Sequence, residues 1–199
     1  MSFDFKKTVQ TVNFFARKSH GRDISKLDVL KLIFLADRYH LRKYGRAVTG
    51  DDYWAMELGP VPSVAKNICD ACSLEPSELE YVKRYLDSKE QNKKVHSRAQ
   101  YDRAFFSDSD IEAMEAAWKV KMNLKKGESL PAFTHHFPEW KRFETKIKLG
   151  DARVHMSPED FFLPSPKEKE YEYCPAPRKL VELNKEFFLD NLAWDRYWG

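Results

Sequence analysis

Apolar residues recur at helical spacing from the first residues of the chain. Phe5, Val9, Val12 and Ala16 fall on one face, which predicts a helix over residues 4–19. The dipeptide His20-Gly21 then supplies a stop signal.

A second helix is predicted from Ser25 to Tyr44. Ser25 is a good N-cap residue, Asp28 completes a capping-box pattern, and Gly45 marks the C-terminal end. Residues 29–36 are apolar almost all round, which is typical of a helix buried at the centre of a bundle.

The pattern changes after this helix. Residues 49–52 form a turn signal, and Tyr53–Met56 is short, aromatic and strand-like. Residues 59–62, with the sequence Gly-Pro-Val-Pro, predict a rigid corner whose prolines prevent further ladder bonds. Helix is predicted to resume over residues 63–71.

The second half of the chain mixes clear and ambiguous signals. Residues 78–86 fit helix or strand, and residues 93–104 fit a small hairpin or a loop. Ser107 and Asp110 form a second capping pattern, ahead of a helix predicted to close at Gly127. Residues 129–140 form a compact aromatic segment, and a short helix is predicted from Ser157 to Phe162.

Composition divides the chain into a domain at 1–163, a linker at 164–177 and a C-terminal amphipathic helix at 178–199. The linker assignment rests on four prolines and the run Lys-Glu-Lys-Glu. The predicted face of the last helix, which docks on the domain or on a partner, comprises Leu180, Leu183, Phe187, Trp194 and Trp198. The expected fold class is mainly α, a helical bundle with a small β-hairpin or sheet element.

Charge and cysteine content narrow the function classes. The 34 basic residues nearly match the 31 acidic ones, and a net charge of +3 makes nucleic acid an unfavoured main ligand. No apolar run is long enough to span a bilayer, so no membrane association is expected. Three cysteines do not predict a disulfide scaffold, and a reducing cytoplasm is the expected setting.

Two groups of residues suggest chemistry but favour structural interpretations. Cys69 and Cys72 form a C-x-x-C pair, yet zinc needs about four ligands and no second pair exists, so helical packing is favoured. Asp37 falls on the apolar stripe of the second helix. An ion pair or capping contact, with Arg46 or a backbone amide, is favoured there over an anchor at a binding groove, and a catalytic acid is least favoured.

Catalytic motifs are missing from the sequence. His135 and His136 lie in the aromatic segment, where a hydrogen-bonded structural histidine is favoured over a catalytic base. No nucleophile elbow, phosphate-binding glycine loop or zinc-protease helix occurs. We therefore expect no enzyme activity, no catalytic residues, no metal and no cofactor. The terminal residues 194–198 are rich in types that dominate interfaces.

Three separated elements resemble the signature of the Panacea domain of SocA-like antitoxins, also met as phage-associated GepA-type proteins of bacteria. The main element comprises residues 31–40, 44–56 and 59–62; weaker similarities follow at 106–114 and 130–140. The resemblance covers about residues 5–162. It implies a mostly helical fold with a small β element and a non-enzymatic role in neutralising a toxin encoded by a neighbouring gene.

The leading hypothesis is therefore an antitoxin that binds a protein toxin directly. We expect toxin contacts from the polar residues Asp37, Arg38 and His40, which are expected to be exposed, and from Trp54, Trp194 and Trp198. A DNA-binding or regulatory helical protein is the alternative, although the second helix is too apolar to lie in a groove. An enzyme using Asp37 and His135 is less favoured, and homo-oligomerisation stays open.

Overall fold

The computed structural model describes residues 3–91 and 93–198, except for the side chains of residue 169 and of residues 195–198. The helices are α1 Phe5–Lys18, α2 Lys26–Tyr44, α3 Ser63–Asp70, α4 Pro76–Tyr85, α5 Asp108–Met122, α6 Leu130–Thr134, α7 Pro138–Lys141, α8 Glu144–Lys148, α9 Pro166–Glu170 and α10 Arg178–Trp198. The strands are β1 Asp23–Ser25, β2 Tyr53–Met56, β3 Gly59–Pro62, β4 Leu86–Lys89, β5 Lys94–Ser97 and β6 Val154–His155. The predicted fold class, mainly α with small sheet elements, is confirmed.

Helix α2 is the centre of the molecule. Every residue from Val29 to Arg42 is buried, and α1, α5, α6, α10 and the β2–β3 hairpin all pack around it. Gly45 ends the helix in the left-handed conformation, with φ of 71°, as expected. The predicted central helix is thus confirmed, together with its C-terminal stop.

The predicted capping box at the start of α2 is wrong. The Ser25 side chain makes no capping hydrogen bond, and Asp28 instead pairs with Lys121 of α5. Ser25 is the last residue of strand β1, where it lies opposite Lys94 of β5. At Ser107 the same pattern does form a capping box with Asp110, although helix α5 ends at Met122 rather than at Gly127.

The strands form two antiparallel sheets of three strands each, in the orders β1-β5-β4 and β3-β2-β6. The segment Gly59–Pro62 is strand β3 rather than a corner, and it pairs with β2 along its whole length. Its two prolines are tolerated because β3 is an edge strand, which needs ladder bonds on one side only. The ambiguous region before α5 contains helix α4 followed by the β4–β5 hairpin.

Residues 164–177, which we call the strap, do not form a free linker. Tyr171, Tyr173 and Cys174 of the strap are buried, and the Tyr173 hydroxyl donates to the carbonyl oxygen of Leu35 in α2. Its prolines and charged residues are typical of an exposed linker, but Tyr173 and Cys174 pack against α2. The linker expectation is therefore wrong, and the strap is part of the domain.

A buried ion network connects the strap to α2. The Arg38 guanidinium binds Glu139 of α7, with 2.6 Å between Nε and Oε1, and also binds Glu168 of the strap. Arg42 reaches Glu168 from one turn further on, at 3.2 Å. Burial alone would lower the pKa of Arg38, but the two carboxylates raise it above its ordinary value.

This network gives a test of the packing. We expect Arg38→Ala to reduce the free energy of unfolding by roughly 3–5 kcal/mol, because Glu139 would stay buried without its cation. Urea unfolding measures the change. Arg84→Ala, which removes an exposed pair on α4, serves as the control and should change stability by less than about 0.5 kcal/mol. A loss below about 1 kcal/mol for Arg38→Ala would contradict the assigned role.

Candidate functional site

The three polar residues of α2 that were expected to contact a toxin are buried. Asp37, Arg38 and His40 all have zero solvent exposure, so the expectation that they are exposed is wrong. Helix α2 is enclosed on every side, and its polar side chains face neighbouring segments of the same chain. Their positions favour internal anchoring over direct contact with another protein.

Asp37 anchors the segment that leads into the β2–β3 hairpin. Its carboxylate accepts hydrogen bonds from the Thr49 backbone amide at 2.8 Å, the Thr49 hydroxyl at 2.5 Å and the Tyr53 hydroxyl at 2.8 Å. Burial raises the pKa of Asp37, while these bonds oppose the rise. The predicted backbone-amide contact is therefore confirmed, whereas Arg46 pairs with Asp110 instead.

His40 connects α2 to the start of α5. Its Nδ1–H donates to the carbonyl oxygen of Arg46 at 2.7 Å, and Nε2 lies 2.9 Å from the Ser109 hydroxyl. Burial lowers the pKa of His40 to about 4, so the ring is neutral near pH 7. This side chain fixes a helix junction and is not available at the surface.

Trp54, in contrast, lies at the surface of the second sheet. Its indole N–H donates to Asp52 at 3.0 Å, and the Arg153 guanidinium lies 4.5 Å from the ring centroid. Asp52 also accepts from His155 Nε2 at 2.6 Å. The four side chains thus hold one another in place at a surface. Trp and Arg are the types that dominate binding energy at interfaces, so toxin contact by Trp54 stays a prediction.

A groove of about 820 Å³, which we call the hairpin groove, opens beside this cluster. It lies between the start of α2, the β2–β3 hairpin and the segment from His135 to Ala152. Its apolar walls include Leu27, Leu30, Met56, Leu58, Val61 and Ile147. Trp54 and Val61 are register partners, so Trp54 lies on the same face of the sheet as this groove-lining valine.

His135 and Trp140 form one wall of the hairpin groove. Their rings stack with centroids 3.8 Å apart and planes 10° apart, and Trp140 Nε1–H donates to the Met56 carbonyl at 2.9 Å. His135 Nε2 is buried and has no hydrogen-bond partner among the described residues. The expected hydrogen-bonded histidine is therefore a stacked histidine with one free ring nitrogen.

Gly59 allows the hairpin to approach this wall closely. Its φ of 102° disfavours any residue with a side chain. A Cβ at this position would lie 2.9 Å from Thr134 Oγ1 and 3.2 Å from both His135 Cδ2 and Lys31 Cε. The glycine thus allows α2, the hairpin and the aromatic segment to approach one another closely.

Lys31 is the residue of this site that the sequence analysis missed. Its ammonium is fully buried and donates to the Pro60 carbonyl oxygen at 2.7 Å. No acidic side chain pairs with it in the part of the chain that the structure describes, and burial lowers its pKa to about 7. In the sequence, the sign that Lys31 is unusual is its place inside the otherwise apolar run 29–36.

Among the described residues, the structure does not bring together the side chains that the enzyme or the metal-site interpretation would need. Asp37 bonds to Thr49 and Tyr53, while His135 stacks on Trp140, and no described hydrogen bond joins Asp37 to His135. Cys69 packs in the core and Cys72 is exposed. The described residues include no cluster of three or more metal-binding side chains, and none of the described helices has the length and apolar character needed to cross a membrane.

The C-terminal helix leaves a second apolar surface exposed. It packs on α2, and its buried residues Val181 and Phe188 lie outside the predicted apolar face. Leu183, Phe187 and Trp194 of that predicted face are exposed. The Trp198 side chain lies outside the described residues. Contact of Trp194 and Trp198 with a toxin stays a prediction.

The buried lysine yields a prediction on pH and stability. The unfolded chain keeps the Lys31 proton up to an ordinary pKa near ~10.4, whereas the folded chain releases it near 7. Lys31 therefore destabilises the fold most below pH 7, and this cost declines as the pH rises. We expect Lys31→Met to be more stable than the wild type at pH 6, with the difference shrinking by roughly 2 kcal/mol by pH 9.

Urea unfolding of both proteins at pH 6, 7, 8 and 9 measures this difference. Lys83→Met, which removes an exposed lysine from α4, controls for the change in net charge. If the difference between wild type and Lys31→Met does not vary with pH, the buried ammonium does not titrate as described.

Comparison with known protein families identifies the family of this chain. Searches of curated proteins and of solved structures found no match. The family model described as antitoxin SocA-like, Panacea domain, matches residues 29–141, a shorter range than the 5–162 expected from the sequence. The match begins in α2, includes the hairpin and ends at α7, so it contains half of the residues that line the groove. Since it covers more than half of the chain, this protein belongs to the SocA-like antitoxin family with a Panacea domain.

Proposed function

We propose that this protein neutralises a protein toxin, encoded by a neighbouring gene, by binding it directly through the hairpin groove. The observation that carries this proposal is the location of the groove. Half of its lining residues, those from Leu30 to Trp140, lie inside the region that matches the antitoxin family, and the other half directly flank that region. The strap and α10 lie outside that region.

The chemistry of the surface supports a protein partner. The groove has apolar walls, and the adjoining cluster of Trp54, Arg153 and His155 is held in place by contacts within the cluster. An interface commonly has an apolar centre with Trp and Arg anchors and a polar rim. A groove of about 820 Å³ accommodates a few side chains. A tight complex burying about 1,200 Å² or more would also cover the Trp54 cluster.

The exposed face of α10 is the competing surface. The Asn184 side chain donates to the Arg42 carbonyl near the end of α2, whereas the groove begins around Leu30. Twelve residues of helix separate these two positions, which corresponds to about 18 Å along the axis. The two surfaces therefore lie towards opposite ends of α2, and the family match favours the groove as the main contact.

Encounter with the toxin is proposed to occur in the cytoplasm, as a stoichiometric complex without catalysis. The three cysteines are free thiols, which suits a reducing compartment. No oligomer is required by this proposal.

The proposal predicts that a charge in the groove blocks neutralisation. Leu58 is half exposed in the hairpin turn, so Leu58→Glu should fold normally while placing a carboxylate among apolar contacts. We expect it to abolish growth rescue when coexpressed with the adjacent gene, and to weaken binding of the copurified toxin at least ~10-fold. Met122→Glu alters an exposed apolar residue outside the groove and should rescue growth like the wild type.

The same assay separates the groove from the tail. A Leu183→Glu, Trp194→Glu double variant places two charges on the exposed face of α10, and it should retain rescue. If this variant loses rescue and Leu58→Glu keeps it, the contact surface is the tail. If no neighbouring gene product is toxic or binds the wild-type protein, the antitoxin function itself is wrong.

A further inference from the structure

The base of the hairpin groove contains an unsatisfied polar atom. His135 Nε2 is buried against Trp140 and has no partner among the described residues. Leaving a buried polar atom unpaired is costly, and native structures contain few of them. Because His135 also lines the groove, a group that enters the groove can approach this ring.

The Lys31 ammonium lies close to His135. Lys31 is fully buried and uses one described acceptor, the Pro60 carbonyl, although an ammonium group has three donors. Buried charges are normally paired with an opposite charge. Within the described part of the chain, no carboxylate pairs with this ammonium.

The two groups converge on one position. A Cβ at Gly59 would lie 3.2 Å from His135 Cδ2, the ring carbon bonded to Nε2, and 3.2 Å from Lys31 Cε. The His135 ring and the lysine stem thus both lie against a single glycine. The imidazole offers a ring nitrogen for hydrogen bonding, and the nearby ammonium offers a positive charge.

The charged residues at the rim of the groove do not neutralise the Lys31 ammonium. Lys26 and Lys66 both pair with Asp70. Glu144 is held between Lys141 and Lys148, at 2.7 Å and 2.9 Å. The rim also carries Glu57 and Asp151, which discourage anions from binding at the mouth. The base is therefore the part of the groove whose charge is complementary to a carboxylate.

The geometry points to a carboxylate-binding position at the base of the hairpin groove, filled by an acidic side chain of the bound toxin. The carboxylate accepts from His135 Nε2–H, and Lys31 supplies the counter-charge. The walls are apolar, so the acidic residue that enters is flanked by apolar residues. This inference rests on the proposed function, since it names what the same groove recognises in its partner.

A small probe tests the chemistry of the position without the toxin. We would titrate the full chain at pH 6, where the Lys31 ammonium keeps its proton, with 3-phenylpropionate and with its uncharged analogue 3-phenylpropanamide. The readout is the NMR signal of the Trp140 indole N–H. The acid is expected to bind at least ~3-fold more tightly than the amide, because charge-assisted hydrogen bonds are the stronger ones. Equal dissociation constants for acid and amide would overturn the inference.

Two variants assign the preference to the named side chains. His135→Phe keeps a ring to stack on Trp140 but removes the nitrogen, and Lys31→Met keeps the length of the stem but removes the charge. Each should abolish the preference for the acid. The exposed Lys83→Met on α4 should retain it. Thermal unfolding verifies that every variant is folded, and an acid preference that survives both changes would overturn the assignment.

Binding of the toxin completes the test. With the adjacent gene product as partner, Lys31→Met and His135→Phe should each weaken binding at least ~10-fold while the wild type neutralises. If the wild type neutralises and both variants bind equally well, the carboxylate position is wrong and the antitoxin function stands. If the wild type prefers 3-phenylpropionate but neutralises no neighbour, assignment of the carboxylate to a toxin is wrong, and a free carboxylic acid is the occupant.

Discussion

The burial of helix α2 imposes a condition that the rest of the molecule meets. A helix enclosed on every side must satisfy each polar side chain from within the protein, because water does not reach it. Helix α2 contains several such side chains between Lys31 and Arg42. Each one determines the position of a segment distant in sequence, and together these segments form the outer layer of the domain.

Asp37 shows how this condition shapes the groove. Its hydrogen bonds to Thr49 and Tyr53 fix the start of the β2–β3 hairpin. Asp51 then accepts the backbone amides of Val64 and Ala65, which fixes the first turn of α3, and burial raises its pKa to about 6. The hairpin is held at both ends by buried carboxylates, so its outer face is presented in one defined orientation.

The sequence was sufficient to predict the central helix, because a run of apolar residues at 29–36 fits only a buried helix. It did not predict the environment of the polar residues that follow. Arg38 and His40 looked exposed because polarity usually indicates solvent, and their partners lie far away in sequence, at Glu139, Glu168 and Ser109. Such pairs depend on tertiary packing, which no local pattern encodes.

The candidate site was predictable only in part for the same reason. Trp54 was predicted only as a toxin contact, which stays a prediction, and the groove near it combines three segments that no spacing rule connects. Lys31 within an apolar run and Gly59 next to a proline were local signals of an unusual position. Their meaning depended on His135, which lies more than seventy residues away along the chain.

The strap and α10 extend the folded domain beyond the region that matches the family. The family match ends at residue 141, yet Glu168 and Tyr173 complete the surroundings of α2, and Phe188 packs beyond them. A fragment trimmed to the matched region would expose the flank of its own central helix to water. The packed unit of this chain is therefore longer than the region that matches the family, and a stable fragment of it must retain the C-terminal segments that cover α2.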